Sequence, residues 1–130
     1  EIGNLLEKTV KSSVWDDVGK RCLSCGNCTN VCPTCYCFDV RDEINLAVTQ
    51  GRRYRICDSC QLKEFAEVAG GENFRKDRKK RQQHRFFRKF KYPIEKYNRN
   101  FCVGCGRCTR TCMAKISLIE TINSLAKEMI

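Results

Sequence analysis

The sequence has no long apolar run and no secretory leader pattern. No stretch approaches the roughly 18 consecutive apolar residues that a membrane helix requires, and the first residues lack the basic-then-apolar layout of a secretory signal. We therefore expect a soluble protein with no membrane span. The 130 residues suit one domain of ordinary size.

The common catalytic motifs are also absent. The sequence has no G-x-G-x-x-G, no P-loop and no G-x-S-x-G, so no flavin, nicotinamide or nucleophile site is recognisable. The single histidine, His84, lies in a basic run without a partner motif, and we interpret it as a surface or packing residue. We therefore expect no catalytic residue and a chain that is not an enzyme by itself.

Cysteine, in contrast, is abundant. The chain has 12 cysteines among 130 residues, a content at which disulfide scaffolds must be considered. The cysteines fall in C-x2-C and C-x-C pairs, however, and none occurs between Cys60 and Cys102. This spacing favours metal ligation by reduced thiols over bridges that close long loops, and it favours the cytoplasm.

One cysteine pattern occurs twice. The segments "CLSCGNCTNVC" at 22–32 and "CVGCGRCTRTC" at 102–112 match at all four cysteines, at one glycine and at one threonine. Both read C-x2-C-x2-C-x3-C, the ligand run of bacterial-type iron-sulfur proteins, and Pro33 follows the first. In such runs the first three cysteines hold one four-iron cluster and the fourth ligates the other.

The two runs therefore predict two [4Fe-4S] clusters with crossed ligands. The predicted ligands of cluster 1 are Cys22, Cys25, Cys28 and Cys112. The predicted ligands of cluster 2 are Cys102, Cys105, Cys108 and Cys32. The crossed ligands would hold the two loops together across an insertion at 33–101. Zinc ribbons, the alternative, would leave the extra cysteines of each run unexplained.

Four more cysteines form a third candidate set: Cys35, Cys37, Cys57 and Cys60. We predict a third [4Fe-4S] cluster there. An all-thiolate zinc site is one alternative, because C-x-C with C-x2-C suits zinc too, and unliganded thiols are another. Asp58 is an alternative oxygen ligand, although its position three residues before Gln61 also resembles a helix N-cap.

Hydrophobic periodicity predicts a mostly α-helical α+β fold. We expect an amphipathic helix over 1–18 with its apolar face formed by Ile2, Leu5, Leu6, Val10 and Val14. A two-stranded ribbon is predicted over 39–56, turning at Gln50 and Gly51. A helix of about ten residues should begin at Asp58 and stop at the glycine pair 70–71.

The C-terminal part should be helical too. Ser117 and Glu120 have the capping-box spacing and precede an apolar stripe of Leu118, Ile122, Leu125 and Met129. Together these elements predict an N-terminal helix over 1–18, which would be part of a longer chain. A ferredoxin-like domain should follow over 19–130, with the insertion at 33–101 holding the third cluster.

The segment 75–91 is strongly basic and carries Phe86, Phe87 and Phe90, which we expect to be core residues. Basic residues with interleaved aromatics would by themselves suggest nucleic-acid binding, and an iron-sulfur nucleic-acid-binding protein is the alternative from another class. We favour docking or charge balancing, because cations stabilise the negative charge of a reduced cluster. Clusters ligated only by cysteine have no obvious open iron, which favours electron transfer.

Several segments resemble a known family. They are "CLSCGNCTNVCPTCYCFDV", "DSCQLKEFAEVAGGENFR", "HRFFRKFKYPIEKY" and "FCVGCGRCTRTC". Over about residues 20–126 the sequence resembles the iron-sulfur β subunit of cytoplasmic [NiFe] sulfhydrogenases, and also the corresponding iron-sulfur subunit of anaerobic sulfite reductase. The likeness includes the linker as well as the cysteines.

The resemblance implies a subunit that relays electrons in an oxidoreductase of an anaerobic or oxygen-sparing cytoplasm. Its partners would be a flavin-bearing, NAD(P)H- or ferredoxin-linked subunit and a [NiFe] hydrogenase or sulfite-reducing catalytic subunit. The resemblance also implies three [4Fe-4S] clusters, with Cys35, Cys37 and Cys60 in the third.

Two departures from the family bear on this interpretation. Where the family commonly has tryptophan this chain has Cys57, so the fourth ligand of the third cluster is either Cys57 or Asp58. Met113 replaces the proline of the second run, which changes no ligand. Family members are also longer at the N-terminus, so the resemblance implies a C-terminal portion or a short version.

Overall fold

The computed structural model describes residues 2–130, and Glu1, the first residue of the predicted N-terminal helix, lies outside them. Its elements are α1 (Ile2–Lys8), α2 (Val14–Arg21), α3 (Asn27–Asn30), β1 (Phe38–Ile44), β2 (Gly51–Cys57), a 3-10 turn (Glu64–Ala66), α4 (Arg78–Phe90), α5 (Tyr92–Tyr97), α6 (Arg107–Arg110) and α7 (Leu118–Lys127). The predicted α+β class is confirmed. None of the described helices is both long and apolar enough to cross a bilayer.

The hydrophobic core forms around α4, which packs against α1, α2 and α5. Its buried members are Leu6, Trp15, Phe86, Phe90, Leu118 and Leu125. Trp15 meets Phe86 edge to face at 5.2 Å between ring centroids, and its indole N–H donates to the Thr9 carbonyl at 2.8 Å. The interpretation of Phe86 and Phe90 as core residues is confirmed, while Phe87 is half-buried against the core.

The N-terminal segment forms two helices where one was predicted. The hydroxyl of Thr9 donates to the Leu5 carbonyl at 2.7 Å, and the Ser12 hydroxyl accepts from the Val14 amide at 3.0 Å. Such side-chain bonds to the backbone compete with a continuous helix, so α1 ends and α2 begins within this stretch. The predicted apolar face holds except at Val10, which is exposed.

The predicted ribbon is present as an antiparallel pair running from Phe38 opposite Cys57 to Ile44 opposite Gly51. The turn is longer than predicted and spans residues 45–50. The Asn45 side-chain oxygen accepts from the amides of Thr49 and Gln50 at 3.0 and 3.2 Å. Asparagine closes this loop with its own side chain, which is why the turn does not sit at Gln50 and Gly51.

The helix predicted to begin at Asp58 is wrong, because only the 3-10 turn Glu64–Ala66 forms. Ser59, Cys60 and Gln61 are all buried. A helix places consecutive residues on different faces and could not bury all three against one surface. Asp58 accepts from the adjacent Ser59 amide at 2.7 Å, so it does not make the bond of a helix N-cap.

The C-terminal helix α7 agrees with its prediction. The Ser117 hydroxyl accepts from the Glu120 amide at 3.3 Å, as an N-cap does. Leu118 and Leu125 are buried, and Ile122 packs against the core. Met129 lies beyond the end of the helix and is exposed. The helix therefore anchors the segment that follows the second cysteine run.

Candidate iron-sulfur sites

The two cysteine runs fold into matching loops. Gly26 and Gly106 have φ of 77° and 69°, a left-handed conformation that glycine adopts without a Cβ clash, and α3 and α6 begin directly after them. The amides of Thr29 and Thr109 donate back to these glycine carbonyls at 3.0 and 3.2 Å. The repeated sequence therefore produces a repeated backbone, which presents the third cysteine of each run on a one-turn helix.

The first cavity is lined by the four cysteines predicted to bind cluster 1: Cys22, Cys25, Cys28 and Cys112. It encloses about 20 Å³. Burial raises the pKa of Cys28 to about 11, and the nearby thiols of Cys22, Cys108 and Cys112 raise it further, while Arg85 lowers it. Cys112 therefore joins a loop that lies about eighty residues earlier in the chain.

Hydrogen-bond donors surround the sulfurs of the first cavity. The side-chain amide of Gln82, itself buried, donates to Cys22 Sγ at 3.0 Å. The backbone amides of Ser24 and Ile116 lie 3.4 and 3.3 Å from the sulfurs of Cys22 and Cys112. Donors of this kind stabilise thiolate charge and tune the potential of a bound cluster.

The second cavity is lined by the four cysteines predicted to bind cluster 2: Cys32, Cys102, Cys105 and Cys108. It encloses about 310 Å³. Cys105 is exposed, so this site is open to solvent. Burial would raise the pKa of Cys32, but hydrogen bonds from Thr34 and Lys89 and the Lys89 charge lower it overall.

The third cavity is lined by Cys35, Cys37 and Cys60. Hydrogen bonding to Cys37 and burial raise the pKa of Cys35. For Cys37, the Cys35 contact lowers the pKa, but bonding to Cys60 and burial raise it overall. The Cys37 bond lowers the pKa of Cys60 to about 7, and Gln61 contributes a donor 3.3 Å from its sulfur. The three thiols therefore form one connected group.

Two predicted ligands of the third site lie outside this group. Cys57 is exposed at the end of β2, where it pairs with Phe38, and it does not line the cavity. Asp58 is half-buried, its carboxylate accepts from the Ser59 amide, and it does not line the cavity either. The structure thus groups three of the four cysteines of the third set and leaves Cys57 apart.

The polar face of α4 is the feature that sequence reasoning missed. Buried polar residues recur along it at Arg81, Gln82, Arg85 and Lys89. Arg81 donates to the carbonyls of Arg75 and Lys76 at 2.9 and 2.6 Å and to the Ser24 hydroxyl at 2.9 Å. The spacing of one helical turn between these residues was the available signal, but the sequence does not show that they face cysteines.

The comparison with protein families is decisive for the class of protein. A family model described as a 4Fe-4S dicluster domain matches residues 21–116, which is most of the chain. The chain belongs to the 4Fe-4S dicluster domain family. The prediction of four-iron clusters is thereby confirmed at the level of a dicluster domain, and the matched range includes both cysteine runs.

One curated relative of this dicluster domain is sulfhydrogenase 2 subunit beta of Pyrococcus furiosus. It is 38% identical over 130 residues, covering 99% of this chain. The chain spans only 38% of the length of that relative. The predicted resemblance to a sulfhydrogenase β subunit is confirmed. No solved structure was found to match the chain.

The donor sets of the dicluster domain fit four-iron clusters. Four sulfurs line each of the first two cavities, and in a four-iron cluster each cysteine binds a different iron. A zinc ion would need its thiolates about 2.3 Å from a single point. Among residues 2–130, no three His, Cys, Asp or Glu side chains converge closely enough to hold one metal ion.

Proposed function

We propose that the chain is an electron-transfer iron-sulfur portion of a multisubunit oxidoreductase and does no catalysis itself. The observation that supports this most directly is the crossed arrangement of the cysteines. Cys112 of the second run lines the cavity of the first, and Cys32 of the first run lines the cavity of the second. Two cavities that share ligands in this way lie next to each other, and adjacent sites suit electron transfer.

The proposed ligands are those of the sequence prediction. Cys22, Cys25, Cys28 and Cys112 would hold cluster 1, and Cys102, Cys105, Cys108 and Cys32 would hold cluster 2. When bound, such clusters accept and donate single electrons. Gln82 would orient and stabilise the Cys22 sulfur through its 3.0 Å bond, while Lys89 and Thr34 would stabilise the Cys32 thiolate.

We propose a third [4Fe-4S] cluster on Cys35, Cys37 and Cys60. Three connected thiols support this interpretation. The fourth ligand would be Cys57 or Asp58, which follow one another at the base of the ribbon. Zinc remains the alternative occupant of this site. The proposed domain organisation keeps the helical segment 1–18, the ferredoxin-like part 19–130 and the insertion 33–101.

The proposed complex is a [NiFe] hydrogenase of an anaerobic cytoplasm. Likeness to a sulfhydrogenase β subunit supports it. The chain would relay electrons between a flavin-bearing, NAD(P)H- or ferredoxin-linked subunit and the hydrogenase catalytic subunit. Anaerobic sulfite reductase, with this chain as part of its iron-sulfur subunit, is the alternative. Burial of Arg81, Arg85 and Lys89 supports charge balancing rather than nucleic-acid binding by the basic segment.

The test is a metal analysis of the protein purified without air. Three clusters require about 12 iron and about 12 acid-labile sulfide per chain, whereas two clusters require about 8 of each. Zinc replacing one cluster would identify the alternative at the third site. Cys57→Ser and Asp58→Asn, compared by iron content, would show which of the two completes that site. An iron-free preparation that folds and joins its complex would overturn the proposal.

A further inference from the structure

Arg85 occupies a central position among the cysteine sites. It lines the first, second and third cavities, and it is the only charged residue that lines all three among those described. The residue is only 5% exposed. Its side chain therefore lies in the interior, where the three sulfur-lined cavities approach one another.

The Arg85 guanidinium has no carboxylate partner. None of the ion pairs within residues 2–130 involves it, and its one recorded side-chain contact of this kind is with the Phe86 ring, at 5.7 Å. An arginine cannot lose its proton in a protein, and an uncompensated buried charge is strongly destabilising. Negative charge must therefore come from the cavities themselves.

The cysteines supply such charge when they are thiolates. Arg85 acts directly on Cys28, since its charge lowers the pKa of that thiol against the effect of burial. A reduced cluster carries one more negative charge than an oxidised one, and a nearby cation stabilises that charge. The position of Arg85 therefore favours the reduced form at each adjacent site.

Two other cations on α4 reach fewer cavities. Lys89 lines the second and third, and Arg88 lines the third alone, where it also stacks 3.9 Å from the Tyr36 ring centroid. These residues follow Arg85 by four and three positions, so all three lie on neighbouring parts of one helical face. The helix thus presents its cations to the cavities in a graded way.

We propose that Arg85 is the shared electrostatic positioning residue of this domain and raises the reduction potential at all three sites, with Lys89 acting on two and Arg88 on one. The inference rests on the proposed function, because it requires clusters on the cysteines. It assigns a purpose to the buried basic face of α4 that neither docking nor nucleic-acid binding explains.

The experiment is an anaerobic redox titration of the cluster-loaded full chain, followed by electron paramagnetic resonance. Arg85→Met removes the charge, and Arg85→Lys keeps it. Lys89→Met and Arg88→Met test the gradation. Arg78→Met is the matched control, because Arg78 is an exposed arginine on the same helix and lines none of the three cavities. Iron content is measured for every variant.

We expect Arg85→Met to lower the potential of every cluster. A tenfold smaller equilibrium constant for reduction corresponds to a shift of about 59 mV for a one-electron couple. Lys89→Met should lower the potentials of the second and third sites, Arg88→Met that of the third, and Arg78→Met none. Arg85→Lys should stay close to the wild-type values.

Unchanged potentials in a fully loaded Arg85→Met protein would overturn the inference, as would an equal shift in Arg78→Met. If Arg85→Met does not assemble, Arg85→Gln and Arg85→Lys form a second pair, and only the glutamine variant should lower three potentials. Iron content and reducible signals of the wild-type protein test the proposed function separately. A loaded wild type with insensitive potentials would refute the role of Arg85 alone.

Discussion

The first and second cysteine loops have the same sequence pattern and the same turn, yet their surroundings differ. A Cβ atom added at Gly26 would lie 3.0 Å from the Ser59 hydroxyl, whereas one added at Gly106 would meet nothing within 4 Å. Thr29 is buried and its equivalent Thr109 is half-buried. The first loop is therefore covered by other parts of the protein, and the second faces solvent.

The cover over the first loop comes from the insertion and from α4. The hydroxyls of Thr29 and Ser59 are 2.7 Å apart, and Gln61 and Gln82 line the first cavity. No side-chain hydrogen bond of this kind joins Thr109 to the insertion within the described part of the chain. The repeat sets the ligand loop, and the inserted segment decides how much water reaches it.

Exchange of the crossed cysteines should have the largest effect on this comparison. Cys32 follows the first loop but lines the second cavity, so Cys32→Ala should remove cluster 2 and about 4 iron per chain. Cys112→Ala should remove cluster 1 in the same way. Iron analysis and paramagnetic spectra of the reduced variants provide the measurement.

The spectra can also contradict the crossed arrangement. Because the two loops differ in solvent exposure, their clusters should give distinguishable signals. If Cys32→Ala removed the signal that requires Cys22 and left the signal that requires Cys102, each run would serve only its own cluster. The double variant at Cys32 and Cys112 is the control and should lose both signals.

Solvent access should produce the next largest effect. A water-soluble iron chelator added without air should remove iron from the second site several-fold faster than from the first, because Cys105 is exposed and the second cavity is the larger. Iron release followed by absorbance should therefore show two phases. Cys112→Ala, which keeps cluster 2, should retain the fast phase, and Cys32→Ala should retain the slow one. A single rate for both sites would mean that the cover makes no difference.

Much of the sites' local structure could be predicted from the sequence. Each ligand loop is built from adjacent residues and needs glycine at one left-handed position, so the repeat was sufficient to predict matched loops at Gly26 and Gly106. The ribbon and the Ser117 cap also follow from local rules. In these cases the residues that determine the structure are neighbours in the chain.

The features that sequence reasoning missed depend on distant contacts. Residues 59–61 have helix-compatible sequence, but they bury polar groups against α4, and Gln61 donates to the Arg81 carbonyl at 2.9 Å. The polar face of α4 looks like a solvated surface until the cavities it faces are known. The role of Arg85 therefore becomes visible only when both cysteine runs and the insertion are in place.

The glycines of the two loops provide the finest test of the comparison. Gly26→Ala and Gly106→Ala both place a side chain at positive φ, which costs about 1–2 kcal/mol. Only Gly26→Ala also forces a Cβ against Ser59, and overpacking of this kind adds about 1–3 kcal/mol. Anaerobic denaturant unfolding of the loaded protein should therefore show the larger loss at Gly26.

Two further variants separate packing from backbone strain. Gly70→Ala is the control, since Gly70 has neither a positive φ nor a neighbour within 4 Å and should change the free energy of unfolding little. Adding Ser59→Ala to Gly26→Ala removes the hydroxyl oxygen that lies 3.0 Å from the new Cβ. If packing causes the difference, this second change should recover part of the stability lost at Gly26. Equal losses at Gly26 and Gly106 would show that the insertion yields without cost, and the cover over the first loop would then be a loose one.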